Sequence, residues 1–449
     1  MNQGRVEAGA LILAGGRSSR FGGFPKALAR FKGRSLLETA ADKCRLVGVS
    51  RIVVVTGHHH PELVGAARAL GLEAIHNPDY DQGMFSSLKI GLQGLGRLEA
   101  FFAWPVDSAL THPQSLLSIL SHWRHISRAR PGTVAVIPTF GGFSGHPPLI
   151  SSRASEKIDD WDGPGGLRGW LGSLMDEQSA RQLLQGAAPK SPRGPISFLA
   201  LPDEALLGDI DYYEQLLNAR ESAGRPRPSL NEAWQLLFQR RLGRDKMEHC
   251  RQVAAAALRL ALALRRSGFE LDPDLALLGG LLHDLASGQA RHALVGRLEA
   301  EALGWPKIGQ IIGVHTDLPA EYLDGALSGS GEPASGEAAG EDGAGPAALP
   351  RACLATYLAD KYFLADRAVS LASRFDQSER CWRHRPEALR ALRRRQKTAL
   401  EVENLFRKWL GAEPRSIAHQ PTDDPREARL ARLPLGGAPG RRAPGQDNV

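Results

Sequence analysis

An apolar run that ends in glycines and cations constrains this chain most. Ala10-Leu-Ile-Leu-Ala14 has strand character and runs straight into Gly15-Gly-Arg-Ser-Ser-Arg-Phe-Gly-Gly-Phe-Pro-Lys26. Glycines directly after a strand let backbone N–H groups approach an anion, and a following helix turns its positive end to the same point. Arg17, Arg20 and Lys26 add side-chain charge, arginine as a fork and lysine as a point charge. The loop is neither the GxGxxG of a dinucleotide fold nor the GxxxxGK[ST] of a P-loop. A basic surface turn is the plain alternative. Against it stand three cations and four glycines within the fourteen residues from Leu13 to Lys26.

The rest of the first half alternates. Strand character recurs at 51–56, 73–76, 100–104, 133–137 and 196–201, and helical spacing at 35–46, 61–70, 86–95 and 113–125. Such alternation predicts βαβ units, hence a three-layer α/β domain with a mostly parallel sheet and ligands beyond the carboxyl ends of its strands. Residues 218–229, rich in Arg, Gly and Pro, read as a linker. After it the character changes to helical period alone, over 230–238, 247–266, 275–285, 292–303, 308–314, 351–369 and 385–410. The second half is therefore expected to be all-α. Residues 325–350 lack a hydrophobic pattern and are expected to be a disordered insertion, and 413–449 a disordered tail.

Composition narrows the class. With 449 residues, 42% hydrophobic and 23% charged, the chain reads as globular with two or three domains. No run approaches the roughly 18 apolar residues of a membrane span, and the apolar stretch near the N-terminus is too short for a signal peptide. A cytoplasmic location and no membrane partner are the expectation. The four cysteines, Cys44, Cys250, Cys353 and Cys381, form no CxxC pair and read as thiols in a reducing compartment. The net charge of +7 sits largely in 383–395 and after 426, so phosphate-bearing small molecules are expected rather than nucleic acid.

Further pieces follow the loop in order: Asn77-Pro-Asp-Tyr-Asp-Gln-Gly-Met-Phe-Ser-Ser-Leu88, Pro105-Val-Asp107, Gly145-His-Pro-Pro148 and Gly208-Asp-Ile-Asp211. Together with the loop, over about 10–217, they resemble the molybdenum-cofactor nucleotidyltransferases, which have a glycosyltransferase-A-like fold. The resemblance implies transfer of a nucleotidyl group from an NTP to the phosphate of molybdopterin, with release of pyrophosphate. In such a reaction protein groups position reactants and neutralise charge, and Mg²⁺ takes carboxylates and phosphates as ligands. The implied nucleotide site is Leu13, Ala14, Gly15, Gly16, Arg17, Ser18, Arg20, Lys26, Asn77, Ser86, Ser87 and Asp107. Arg17, Lys26 and Asp107 are its catalytic residues, and Asp107 and Asp211 hold Mg²⁺, with Asp209 as a substitute for the latter. Ala14-Gly15-Gly16 resembles guanylyl-type members, whereas Gly83-Met-Phe-Ser-Ser87 and Gly145-His-Pro147 resemble cytidylyl-type ones, so CTP is favoured over GTP.

In the second half His283-Asp284 closes an apolar helical stretch. His249 precedes it, His292 and His315 follow, and Asp360 lies in Tyr357-Leu-Ala-Asp-Lys361. Imidazoles with carboxylates suit a transition metal such as Mn²⁺, Fe²⁺ or Zn²⁺. In this order, over about 244–374, they resemble the HD-domain metal-dependent phosphohydrolases. The resemblance implies that His249, His283, Asp284 and Asp360 bind metal, and that His292 and His315 complete a second metal in some members. It also implies that Asp284 orients a metal-activated water for attack on a phosphate ester. The expected domains are thus a nucleotidyltransferase over 8–220, a linker and entry helix over 221–243, an HD domain over 244–412 and the tail. The expected partners are an NTP, a molybdopterin-type cofactor and a molybdenum-containing oxidoreductase. Two other readings stand beside the bifunctional enzyme. One is a molybdenum-cofactor chaperone or regulator with a nucleotide-sensing HD part, and the other a nucleotidyltransferase acting on a sugar or polyol phosphate.

Overall fold

Strand β1 (Ala8–Ala14) is buried along its whole length, as a parallel strand covered on both faces must be. The computed structural model in which it lies describes residues 6–189, 194–208, 210, 227–327, 348–365 and 367–435. These fall into two units, one up to residue 210 and one from 227 to 435.

In the first unit β1 is followed by α1 (Leu36–Leu46), which starts at a capping box between Ser35 and Glu38. Then come β2 (Arg51–Thr56), α2 (His60–Ala69), β3 (Glu73–His76), α3 (Met84–Leu95), β4 (Ala100–Pro105), α4 (Pro113–Ala129) and β5 (Ala135–Phe140). Among the elements that were not expected are β6 (Leu149–Ser151), α5 (Gly166–Ser173) and α6 (Glu177–Leu184). Three residues are too few to show a period, and the glycines of α5 mask its helical pattern. Strand β7 (Ile196–Ala200) closes the sheet, whose order is β7-β5-β6-β4-β1-β2-β3. All its neighbours in this path are parallel except those of β6, which runs antiparallel to both β4 and β5.

Alternate residues of β1 face two separate cores. Ala10 and Ile12 pack with Leu36, Leu63 and Leu116 of α1, α2 and α4, whereas Leu11 and Leu13 pack with Leu88, Trp170 and Leu183 of α3, α5 and α6. This is the three-layer arrangement. The chain winds outward from β1 to β3, then returns to the other flank of β1 at β4. The reversal lies between β1 and β4, where Leu13 is in register with Pro105, and ligands of open α/β sheets bind at such a point.

The second unit is helical. It comprises α7 (Leu230–Gln239), α8 (Arg244–Arg266), α9 (Pro273–Leu282), α10 (His292–Ala302), α11 (Pro306–Val314), α12 (Ala320–Leu327) and α13 (Ala348–Lys361). A hairpin follows, β8 (Phe363–Leu364) with β9 (Arg367–Ala368), then α14 (Leu371–Trp382), α15 (Pro386–Leu410), α16 (Pro414–His419) and α17 (Pro425–Ala431).

The insertion expected to be disordered over 325–350 is helical at both ends, because Ala326 is buried and α13 begins at Ala348; residues 328–347 lie outside the described residues. The helix expected to run to Val369 stops at Lys361, where the chain reverses through Ala365 in the left-handed region (φ 55°). The tail expected to be disordered from 413 is folded as far as 435. Arg259 there pairs with Glu427, Arg426 with Asp274, and Trp234 donates to the Pro434 carbonyl, while Ala418, Leu430 and Leu433 are buried. Its Pro- and Arg-rich composition hid these anchors, whose partners lie far away in sequence. Asp209, Asp211 and most of the linker lie outside the described residues. Among the described residues no helix is long and apolar enough to cross a membrane.

Helix α9 is the axis of this unit: all of its ten residues except Asp274 are buried. Gly280 lets it touch α8, since a Cβ there would lie 2.9 Å from the Cα of Ala254. Gly280→Ala is therefore expected to lower stability by about 1–3 kcal/mol in urea unfolding, although alanine is the better helix former. Unchanged or raised stability contradicts this close approach.

Candidate functional site

The loop after β1 and the turn after β4 enclose a cleft of about 360 Å³. Leu13, Ala14, Gly15, Gly16, Ser18, Arg20, Lys26, Ser87 and Asp107 all line it. The loop is pressed against the end of β2: a Cβ on Gly57 would lie 2.4 Å from the Gly15 carbonyl oxygen. Ser18 adopts φ 52°, and its hydroxyl accepts the backbone N–H of Lys26 at 3.1 Å, which folds the loop back on itself. Lys26 Nζ then reaches Asp107 Oδ2 at 3.3 Å. The other carboxylate oxygen, Asp107 Oδ1, is buried and accepts no hydrogen bond. A buried carboxylate oxygen without a donor fits a hard cation such as Mg²⁺.

The remaining residues expected at this site lie apart from the cleft wall. Asn77 is fully buried; it donates to Ser86 Oγ at 2.9 Å and Ser87 Oγ at 3.0 Å and accepts the Asp79 N–H. It braces the start of α3. The Ser86 hydroxyl is engaged with the Asp79 and Gly83 carbonyls. Arg17 points outward to Asp81, 2.8 Å away.

Sequence reasoning missed His59 and Tyr80, which also line the cleft. His59 Nε2 donates to the Arg17 carbonyl at 3.3 Å, a contact visible only once β2 is known to flank β1. A second pocket of about 420 Å³ shares Gly83 and Met84 with the cleft. Phe85, Leu167 and Arg168 line it together with Gly145, His146 and Pro148 of the Gly-His-Pro stretch.

In the second unit four ligand-type atoms converge. His249 Nε2 lies 3.3 Å from His283 Nε2 and 3.4 Å from Asp360 Oδ1, and His283 Nε2 lies 3.2 Å from Asp284 Oδ2. The other Asp284 oxygen faces a second group, 3.6 Å from His292 Nε2 and 3.8 Å from His315 Nε2, which are themselves 3.3 Å apart. Asp284 thus spans two clusters.

The ring orientations are fixed from behind. Nδ1 of His249, His283 and His315 donates to the carbonyls of Ala365, Gly280 and Ile312 at 2.7, 2.8 and 2.7 Å, so each Nε2 faces inward. Paired Nε2 atoms ringed by carboxylate oxygens are a donor set that could hold a cation, and imidazole with carboxylate suits a divalent transition metal. Burial pushes the His315 imidazole down to about 3, which keeps its lone pair free. Burial pushes the Asp284 carboxyl up, but His283 and Lys246 outweigh it and hold the group far below the usual carboxylate range. Burial is outweighed at Asp360 too, chiefly by Lys361 and Arg374.

The mouth of this site is a pocket of about 600 Å³. Lys246 enters it 2.6 Å from Asp284 Oδ2, and Lys361 lies 2.6 Å from Asp360 Oδ2. Sequence reasoning missed Lys246, although it precedes His249 by three positions on α8 and so shares its face. It also missed Arg374, Trp382 and Arg395, which line the pocket from α14 and α15 and carry no local signal.

The two sites define a nucleotide-handling fold followed by a metal-type helical centre, and comparison with known proteins agrees. Residues 10–180 match the MobA-like NTP transferase domain and residues 247–363 the HD domain. The chain is 33% identical over 142 residues to the molybdenum cofactor cytidylyltransferase of Escherichia coli K12, covering 31% of this chain and 68% of that one. It is 25% identical over 206 residues to nicotine blue oxidoreductase of Paenarthrobacter nicotinovorans, covering 46% and 93%. It is 38% identical over 122 residues to the bifunctional IPC transferase and DIPP synthase of Rubrobacter xylanophilus; it spans only 27% of that protein, and 26% of this chain is matched. Among solved structures, Rv0371c of Mycobacterium tuberculosis covers 48% of this chain and 98% of its own at 22% identity, with a TM-score of 0.36. The chain belongs to the MobA-like NTP transferases, a nucleotidyltransferase family, and carries behind that domain an HD domain, a phosphohydrolase family whose members bind divalent metals.

The geometry of the second unit predicts two tightly held Mn²⁺ equivalents after reconstitution and gel filtration. His292→Ala is expected to reduce this to one and Asp284→Ala to less than one, read by elemental analysis. One equivalent in the unaltered protein contradicts the bridging position of Asp284.

Proposed function

We propose that the first unit transfers a cytidylyl group from CTP to the terminal phosphate of molybdopterin, and that the second unit hydrolyses a phosphate ester. The observation that carries the first part is the cleft at the β1/β4 reversal, where Lys26 and the hydrogen-bond-free Asp107 Oδ1 face the glycine loop. In this reading the backbone N–H groups of Gly15 and Gly16 cradle the nucleotide phosphates. Lys26, Arg20 and, swung inward from Asp81, Arg17 neutralise the leaving pyrophosphate. Asp107, with Asp211, holds Mg²⁺, which supplies charge neutralisation at the phosphates. The acceptor occupies the neighbouring pocket, with its planar ring system against Phe85 and Leu167. Its phosphate oxygen attacks the α-phosphorus of CTP, and the bond to pyrophosphate breaks.

The cytidylyltransferase relative supports CTP, as do Gly83-Met-Phe-Ser-Ser87 and Gly145-His-Pro147. Ala14-Gly15-Gly16 supports GTP. The product's expected recipient is a molybdenum-containing oxidoreductase. In the second unit His249, His283, Asp284 and Asp360 hold one Mn²⁺, Fe²⁺ or Zn²⁺ and His292 and His315 help hold another, with Asp284 aligning the attacking water.

Pyrophosphate release from CTP or GTP, with molybdopterin or a polyol phosphate as acceptor, tests the first part. Release is expected with CTP and molybdopterin, at least about tenfold faster than with GTP, and Asp107→Ala is expected to lower it by about 10²–10³-fold. Release with the polyol phosphate alone transfers the assignment to that acceptor class. Tight molybdopterin binding without release supports a chaperone instead.

A further inference from the structure

The pocket over the HD centre is walled partly by chain that lies beyond the residues matching the HD domain. That match ends at 363, whereas Arg374, Ser378 and Trp382 of α14, and Leu392 and Arg395 of α15, all line the pocket. We propose that α14 is a recognition ruler that selects a nucleoside 5′-monophosphate as substrate of the HD centre. The proposal rests on reading that centre as a phosphohydrolase and adds its substrate class.

Arg374, Ser378 and Trp382 recur every four residues, so one face of α14 turns toward the pocket. At 1.5 Å per residue, Arg374 and Trp382 lie about 12 Å apart along the helix, the reach from a phosphate through a ribose to a base. The near end of the ruler is at the metal-type cluster. Arg374 lies 3.6 Å from Asp360 Oδ1 and is anchored by a hydrogen bond to the Phe363 carbonyl, so its charge stands where a phosphate must sit.

One turn on, the Ser378 hydroxyl donates to the Arg374 carbonyl at 3.0 Å and retains lone pairs to accept from a ribose hydroxyl. Two turns on, Trp382 is 43% exposed, an unusual state for an indole. The Arg385 guanidinium lies 5.4 Å from its ring centre and holds it in place, which leaves the opposite face for a stacked base. Arg395 is bound in both arms by Asp317 at 2.6 Å, so it lends the wall rigidity rather than a free charge. The volume of about 600 Å³ exceeds what a bare phosphate or a triose phosphate fills.

In the reaction water adds its oxygen to phosphorus and the P–O5′ bond breaks. The proton released by water goes to the leaving O5′, which gives nucleoside and inorganic phosphate. No redox partner is needed.

The test compares kcat/KM for CMP and AMP with that for glycerol phosphate, on the full chain loaded with Mn²⁺. The nucleotides are expected to be favoured by at least about tenfold; Trp382→Leu removes about tenfold of that ratio, and Trp382→Phe keeps it within about threefold. Equal kcat/KM for both ester types in the unaltered protein, or a ratio untouched in Trp382→Leu, overturns the proposal. Hydrolysis of neither ester overturns the phosphohydrolase reading by itself. Calorimetric titration with CMP then decides: a binding event lost in Trp382→Leu supports the ruler, and an identical isotherm overturns it.

Discussion

A carboxylate withdrawn from water needs a compensating charge, and both halves of this chain are arranged around that requirement. Asp107 is met by Lys26 from the glycine loop, Asp284 by Lys246 and His283, and Asp360 by Lys361. In each case one carboxylate oxygen faces a lysine. At Asp107 the other oxygen is left without a hydrogen-bond donor, and at Asp284 it faces a second pair of imidazoles. His283 and Lys246 at Asp284, and Lys361 and Arg374 at Asp360, outweigh burial and hold these two acids below the usual carboxylate range, and the ligand-type oxygens of both face the cluster. Phosphate chemistry needs that combination, because fixed positive charge and a carboxylate-held metal act on the same anionic group.

The two units deliver their acids by different means. In the first, strand ends do it: the register of Leu13 with Pro105 brings the loop after β1 and the turn carrying Asp107 to one point. The close contact of Gly57 with the Gly15 carbonyl then holds that loop. In the second, helix packing does it. Gly280 allows α9 to touch α8, which sets His283 beside His249, and the reversal after α13 brings the Ala365 carbonyl behind the His249 ring. Rigid elements fix the clusters, while part of each pocket wall comes from pieces added around them, α5 in the first unit and α14 in the second.

Much of this was legible in the sequence where a residue acts through its own neighbourhood. The glycine loop, the alternation of strands and helices and the pair His283-Asp284 carry their signal locally, and each element there falls within a few residues of its expected place. The three-residue β6 has no readable period, and the tail α16–α17 is anchored by partners far away in sequence, such as Arg259 with Glu427 and Arg426 with Asp274, so composition pointed the wrong way. Site residues divide in the same manner. Lys26 and Asp107 were legible from motif and position, and the structure joins them. His59, Arg374 and Trp382 enter their pockets only through packing of distant segments, which no local pattern encodes. Asn77 was legible as part of the nucleotide segment, but its amide is directed to Ser86 and Ser87 as a brace.

The most direct measurement of the central claim is the mass of the product formed from molybdopterin, CTP and Mg²⁺ by the full chain. Molybdopterin joined to CMP through a pyrophosphate linkage is predicted, with no adduct when Lys26 is replaced by Ala. A mass that shows molybdopterin unchanged while CTP is consumed contradicts the account.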